Sequence, residues 1–489
     1  MKTLIFSLML VAAVYLTARA QYIVSPDTNS RALPFAIDPS KRMPDDELAD
    51  KKTGTFVTGL PRFEYDPIRG FGAGGNAFLY FNKDRTDPFF EYTPYRHRLN
   101  AELFIYQNGR VSYALNYDTP YLFDSPWRLR MDAEYSEDPI GQYWGIGRAY
   151  LRGLRFRDAR TGEARRYRRQ TDYEENLTLA QSDSLGRYFT DHHFNQFAQQ
   201  QQLYNFLGER IFLGGRLRLM FGIEFLFTKF TSYNGRKALK AQTLEGREVD
   251  ATNRTTLFDI QREDGTWNRF NLGGYETGRS RPFYTGMLAA ALIYDTRDYE
   301  PDPSKGIFLQ YSHEHCTPWL GSDFNFHKFM VQAQYIATPL RWRGGRSRLT
   351  LASMACVGYI FGPQINFIEM WDLSSQAEAG GILVLGGPRS IRGFREARFV
   401  APAAALVNIE LRSRFYDFRL LKQHFHVGLV PFFDTGSVWD SLSDFDFSHW
   451  VAAPGVGARL GWNQSTIFRL DYGRSTEGGQ VFFSFGHIF

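Results

Sequence analysis

The sequence predicts an all-β protein: a transmembrane antiparallel β-barrel of about 16 strands with an extracellular loop folded inward. Three observations carry this reading. The chain opens on an export signal. No later apolar run reaches the ~20 residues that a spanning helix needs. Most of the remaining chain reads as segments in which apolar and polar side chains alternate. Aromatics make up 16% of the residues, with 44 Phe and 27 Tyr, yet mean hydropathy is only −0.36. Many aromatics on a polar average is what alternation produces when one face meets lipid and the other water.

Residues 1–20 read as a secretory signal peptide: Lys2, an apolar core from Leu4 to Leu16, and Ala18-Arg19-Ala20 before Gln21. No Cys follows the cleavage site, which argues against a lipoprotein. Residues 21–70 are polar and rich in Pro and Asp, and are expected to form a short periplasmic N-terminal segment. One helix is predicted there, from Pro44 to Lys52. Pro44 suits a first turn, Asp45, Asp46 and Glu47 complement the positive end of the dipole, and Gly54 marks the stop. A linker with only a transient helix is the competing reading.

The barrel is expected over residues 71–489. Val111, Tyr113, Leu115 and Tyr117 alternate with Ser112, Ala114, Asn116 and Asp118. Leu217, Leu219, Phe221, Ile223, Phe225 and Phe227 alternate with residues that include Arg216, Arg218 and Glu224. Their length suits the ~9–11 residues of a tilted strand crossing hydrocarbon. Lipid offers no partner to a free sheet edge, so the strands must close. The predicted strands run from 72–83 to 479–489 and include segments at 192–212 and 378–386. Short links, Gln107-Asn108-Gly109 and Gly344-Gly345, read as periplasmic turns. The long polar stretches 138–190 and 232–280 read as extracellular loops, too poor in apolar residues to form an ordered core alone. Val481, Phe483, Phe485 and Phe489 are expected on one face of the last strand, which pairs with the first and so leaves no exposed edge.

Several function classes fall away. Two cysteines, Cys316 and Cys356, make no disulfide framework, and free thiols are expected. The net charge of +5 is spread along the chain, which speaks against nucleic acid as a partner. There is no Gly-x-Ser-x-Gly elbow. His192 and His193, and His313 and His315, are too few for a metal site and read as solvated or lumenal. No enzymatic activity, metal or cofactor is expected.

One loop stands out: Gly386-Gly387-Pro388-Arg389-Ser390-Ile391-Arg392-Gly393-Phe394. The glycines and proline permit sharp turns, and Arg392 can grip a carboxylate with a two-pronged hydrogen bond. Alternation in Ala405–Arg414 puts Val407, Ile409 and Leu411 toward lipid and Asn408, Glu410 and Arg412 toward the lumen.

Ser-Ile-Arg-Gly-Phe resembles the Val-Arg-Gly-Phe or Val-Arg-Gly-Tyr loop of the BamA/TamA-like outer-membrane family, also called the bacterial surface antigen family. Two further stretches match it in order: Tyr294-Asp295-Thr296-Arg297-Asp298 followed by Lys305-Gly306, and Pro431-Phe432-Phe433-Asp434-Thr435-Gly436-Ser437-Val438-Trp439. The resemblance implies the outer membrane of a Gram-negative bacterium, with its lipid and lipopolysaccharide as surroundings. It implies that Arg392, Gly393 and Phe394 anchor the loop inside the barrel, with Glu410 and Asp434 as lumenal acidic partners. Such a pair in a wet lumen is expected to contribute ~1.5–3 kcal/mol. Phe483, Phe485 and Phe489 resemble the terminal-strand sorting signal. The family's periplasmic repeat modules do not fit in residues 21–70, so this is a member without them, and a separate periplasmic partner is one way to replace them. The implied function is insertion, assembly or translocation of client outer-membrane proteins. The route is a lateral seam between the last strand and a glycine-rich first strand bearing Gly70, Gly72, Gly74 and Gly75. The alternative is a non-catalytic plugged pore or the barrel scaffold of an envelope complex.

Overall fold

The computed structural model describes residues 32–43, 48–49, 51–236, 240–298, 302–342, 347–375, 384–420, 423–462 and 466–489. The expected signal peptide lies outside the described residues, as does most of the expected 44–52 helix.

Alternating side chains build a closed barrel of 16 antiparallel strands. In chain order these are β1 (Thr55–Asp66), β2 (Gly70–Phe81), β3 (His97–Tyr106), β4 (Val111–Thr119), β5 (Trp127–Gln142), β6 (Gln196–Phe212), β7 (Leu217–Ser232) and β8 (Phe283–Asp295). They continue as β9 (Gly306–Cys316), β10 (Asn325–Trp342), β11 (Ser347–Asn366), β12 (Ala403–Leu420), β13 (Gln423–Trp439), β14 (Val451–Trp462), β15 (Thr466–Ser475) and β16 (Gly478–Phe485). Each pairs with its sequence neighbour, and β1 returns to β16. On β12, Ile409 and Leu411 are exposed on the outer face while Asn408, Glu410 and Arg412 are buried on the inner one. The free thiols Cys316 and Cys356 are buried.

The strand count hides an exchange of members. Residues 55–66, expected in the N-terminal segment, form β1. Its period-two pattern is interrupted by Gly59 and Pro61, which made it read as linker. Proline lacks an N–H and is tolerated where one strand edge goes largely unpaired, which is β1's position beside β16. Conversely, of the strand expected at 378–386, the described residues 384–386 belong to no barrel strand. Residues 376–383 lie outside the described residues, and Leu385 makes only an isolated bridge to Phe399. β11 pairs directly with β12, from Arg348↔Arg414 to Tyr359↔Ala403, which leaves no place for a strand between them.

Antiparallel parity also corrects one turn. The link after β3 and the link after β5 must lie at the same rim. Gln107-Asn108-Gly109 therefore sits at the rim of the long loops, not opposite it, and Asn108 N donates to Arg69 O there. Its shortness misled, because tight turns serve either rim. Gly344-Gly345 lies outside the described residues.

At the loop rim the long stretches do not stand alone. Four short helices, α1 (Gln170–Thr178), α2 (Leu257–Glu263), α3 (Thr266–Arg269) and α4 (Phe367–Trp371), pool their few apolar groups with residues 384–402 and with the strand ends. Phe258 of α2 packs 5.2 Å from Phe197 of β6 and 5.4 Å from Phe367 of α4, ring centre to ring centre. Tyr143, Trp267, Phe394 and Phe399 belong to the same buried cluster. We call this assembly the plug.

Candidate functional site: the arginine loop and its wall

The loop that carries Arg392 is shaped by its glycines. Gly386 and Gly387 have φ of +105° and +97°, and a Cβ on Gly386 would lie 2.1 Å from Arg395 O. Ser390 ties the turn internally: its Oγ accepts from Gly386 N at 2.9 Å. Asn408 on β12 fastens the turn to the wall, donating from Nδ2 to Ser390 O and to Asp434 Oδ1, both at 2.7 Å.

These constraints deliver Arg392 to the inner wall with no exposure at all. Its Nε and Nη2 donate to the two oxygens of Asp434 at 2.8 and 2.9 Å, a two-pronged fork, and its backbone N adds a third bond at 3.0 Å. Nη1 donates to Glu410 Oε1 at 2.6 Å and to Asp471 Oδ2 at 3.1 Å. The guanidinium lies 3.5 Å from the centre of the Phe432 ring. Burial alone would pull its pKa down; Asp434 and Glu410 outweigh that and raise it, so the group stays charged. Glu410 and Asp434 are also 0% exposed, so protein atoms cover the charges on this wall. Breaking a buried, fully partnered charge of this kind costs about 3–5 kcal/mol, because it leaves the opposite charges buried without compensation.

Around Arg392 the wall supplies Arg412, which sequence reading placed toward the lumen, and Arg459, Arg469, Asp471 and Gly473, which it missed. Arg412 Nε donates to Glu410 Oε2 at 2.8 Å, Arg459 Nη1 donates to Asp471 Oδ1 at 2.6 Å, and Arg469 Nε lies 3.6 Å from Asp471 Oδ2. Period two in 465–474 places Arg469, Asp471 and Gly473 on one face, and that signal would have found them. Gly473 is the closest approach: a Cβ there would sit 1.4 Å from Arg392 O. Gly393, with φ +156°, would bring a Cβ to 2.8 Å from that of Ala453.

The rest of the loop is pinned elsewhere. Phe394 is buried and meets Phe399 edge to face at 5.0 Å. Arg395 forks onto Glu174 of α1 at 3.1 and 2.7 Å, and Arg398 onto Glu477 at 2.9 and 2.7 Å. Glu396 pairs with Arg69, which also holds Asp138 at 2.9 Å.

Three placements differ from expectation. β16 ends at Phe485, with Phe483 and Phe485 on its outer side. Gly486, at φ +73°, then turns the chain, so Phe489 leaves that face and its carbonyl accepts from Arg412 Nη2 at 3.0 Å. Gly70, Gly72, Gly74 and Gly75 lie on β2, not on the closing strand. They make room for β3: a Cβ on Gly72 would meet Phe104 at 2.5 Å and Tyr106 at 2.8 Å. His313 and His315 share the outer face with Leu309 and Tyr311, neither solvated nor lumenal, and the His315 ring stacks on His327 at 4.2 Å. His313 Nε2 and His327 Nδ1 lie 3.1 Å apart and hydrogen-bond to each other. His193, at the loop rim, stacks on Tyr233 at 4.1 Å, and burial lowers its pKa and that of His192.

An inward loop whose arginine bridges three wall strands is matched by a family model. The Omp85 superfamily domain aligns with residues 93–489, and a domain of unknown function, DUF5982, aligns with residues 33–96. The chain belongs to the Omp85 superfamily. It is an outer-membrane barrel of the BamA/TamA-like kind. Among solved structures it is similar to BamA from Haemophilus ducreyi lacking POTRA domains 1–3, at 11% identity and a TM-score of 0.49, covering 89% of this chain and 70% of that one. CdiB from Escherichia coli is similar at 10% identity and a TM-score of 0.49, covering 89% and 63%. CdiB from Acinetobacter baumannii gives 10% and 0.44, covering 89% and 60%. No curated protein sequence matches.

Proposed function

We propose that this Omp85 barrel inserts or translocates other outer-membrane proteins through a lateral seam between β1 and β16, with no catalytic step. One observation carries the reading. β1 is partnered with β2 along its whole length, from Thr55↔Phe81 to Asp66↔Gly70, whereas toward β16 its ladder comes down to one position, Tyr65↔Phe483. Unpaired backbone N–H and C=O groups facing lipid are costly, and an incoming strand satisfies them by adding to the free edge. Pro61 in β1 weakens the edge further. The Arg392 clamp supports this reading as a loop anchor that holds β12 to β15, the wall next to the seam strand β16, rigid while the seam works. Phe483 and Phe485, on the outer side of β16, suit a sorting signal.

The experiment is a crosslink at the one partnered position. Tyr65→Cys with Phe483→Cys, oxidised in the cell, is expected to abolish support of growth or client assembly by the barrel, and reductant is expected to restore it. A locked barrel that works as well as the open one would sink the proposal. The second reading, a plugged pore or envelope scaffold, draws on the aromatic plug at the loop rim. It predicts that the locked barrel keeps its role.

A further inference from the structure

A second charged cluster lies on β7, β9, β10 and α4. Lys328 of β10 sits between Glu314 Oε2 of β9 at 2.8 Å and Glu369 Oε2 of α4 at 2.6 Å, and all three side chains are buried. Asn366 caps α4 by accepting from Ile368 N, which fixes Glu369 over the lumen. Glu314 Oε1 also accepts from Ser375 Oγ at 3.0 Å. The single ammonium is thus already shared between two acids.

Glu224 of β7 is the group left over. It is 1% exposed, and neither of its carboxylate oxygens has a hydrogen-bond partner among the described residues. It lines a cavity of about 440 Å³ together with Glu134, Glu369, Asp372, Lys328 and Arg389. Four of these six side chains are carboxylates, and an ionised carboxylate can only accept. Lys328 is engaged, and Arg389 is exposed at its end of the cavity. A buried carboxylate with no donor is costly unless it takes up a proton or a cation comes to it.

We propose that this cavity binds a small organic cation bearing primary ammonium groups, with Glu224 as its anchor. An ammonium supplies three donors and a positive charge, which is what Glu224 lacks. The cavity is far larger than the ~30 Å³ share of one water, so it accommodates an alkyl chain between charged ends. Among the described residues no three acidic, His or Cys groups converge as a metal ion would require. The excess of acid on the lining repels phosphates and carboxylates. The inference stands apart from the seam, because it uses only residues of β5, β7, β9, β10 and the plug.

The test uses the full-length barrel in uncharged detergent and spermidine as the probe, followed by titration calorimetry. Saturable one-to-one binding is expected, at least ~10-fold weaker in Glu224→Gln and unchanged in Glu245→Gln on an exposed loop. A tenfold excess of Mg²⁺ is expected to leave it in place. Absence of saturable binding, equal affinity in Glu224→Gln, or displacement by Mg²⁺ would each overturn the proposal. Glu224→Gln removes a charge and no bond, so it is expected to fold. If it fails to do so, Glu134→Gln on the same lining carries the test, and an affinity equal to that of the unaltered barrel overturns the proposal.

Discussion

The plug meets the barrel on two walls that treat buried charge in opposite ways. Against β12 to β15, four guanidiniums, those of Arg392 from the loop and of Arg412, Arg459 and Arg469 from the wall, interleave with Glu410, Asp434 and Asp471, and Glu410 and Asp471 each have at least two cationic neighbours. Asp434 is the exception in kind: it takes the Arg392 fork and the Asn408 amide. On β7, β9 and β10, one ammonium serves Glu314 and Glu369 while Glu224 has no partner. Planar guanidiniums present several donors in fixed directions and can tile a carboxylate wall. A lysine offers one compact charge and cannot. The first wall is therefore a structural joint, closed to solvent, and the second keeps an open demand for a cation beside a cavity.

The largest expected effect breaks the joint. Arg392→Ala leaves Asp434 buried with no cationic partner, takes one cation from each of Glu410 and Asp471, and is expected to cost about 3–5 kcal/mol. Urea unfolding followed by heat-modifiable gel mobility would measure it, and protease cleavage within 384–402 would show the loop released. Arg392→Lys is expected to recover little, because the fork onto Asp434 is lost. If either variant matched the parent, the joint would not hold the plug.

Gly473→Ala tests the same joint from the wall side without touching a charge. The new methyl collides with Arg392 O, so the loop must shift, at an expected cost of about 1–3 kcal/mol. Unchanged protease resistance of residues 384–402 would contradict the close approach.

Glu224→Gln is the contrasting substitution on the second wall. It breaks no hydrogen bond and removes a buried charge, so stability is expected to stay within about 1 kcal/mol of the parent or to rise. A loss as large as that of Arg392→Ala would mean that the two walls do not differ.

The smallest effect separates the plug's loops from the joint by pH. Burial lowers the pKa of His192 and His193 below the ordinary 6.5. Between that lowered value and 6.5 the unfolded loop binds more protons than the folded one, so local stability is full above about pH 6.5 and falls as pH drops below it. Arg392 does not titrate in this range. Hydrogen exchange, corrected for its intrinsic pH dependence, is expected to show residues 190–195 loosening at pH 5 while 390–394 stay protected. Equal loosening of both would argue against the separation.

The sequence by itself determined the class of molecule. Period-two alternation with aromatics on one face and charges on the other has one solution in lipid, a closed barrel, because every backbone group needs a partner there. Alternation also decided that Glu410 and Arg412 point inward, since a strand offers only two faces. What the sequence could not decide was which strand closes the barrel and which charges meet. Pro61 hid β1, and only the pairing of neighbours shows that an edge strand tolerates it. Asp471, Arg459 and Gly473 lie far from Arg392 along the chain, and their convergence depends on barrel curvature and on how deep the loop inserts. Phe489 turning in to Arg412, and Glu224 left without a donor, are likewise settled by three-dimensional proximity. Local periodicity fixes the direction of a side chain; only the closed sheet fixes what stands opposite it.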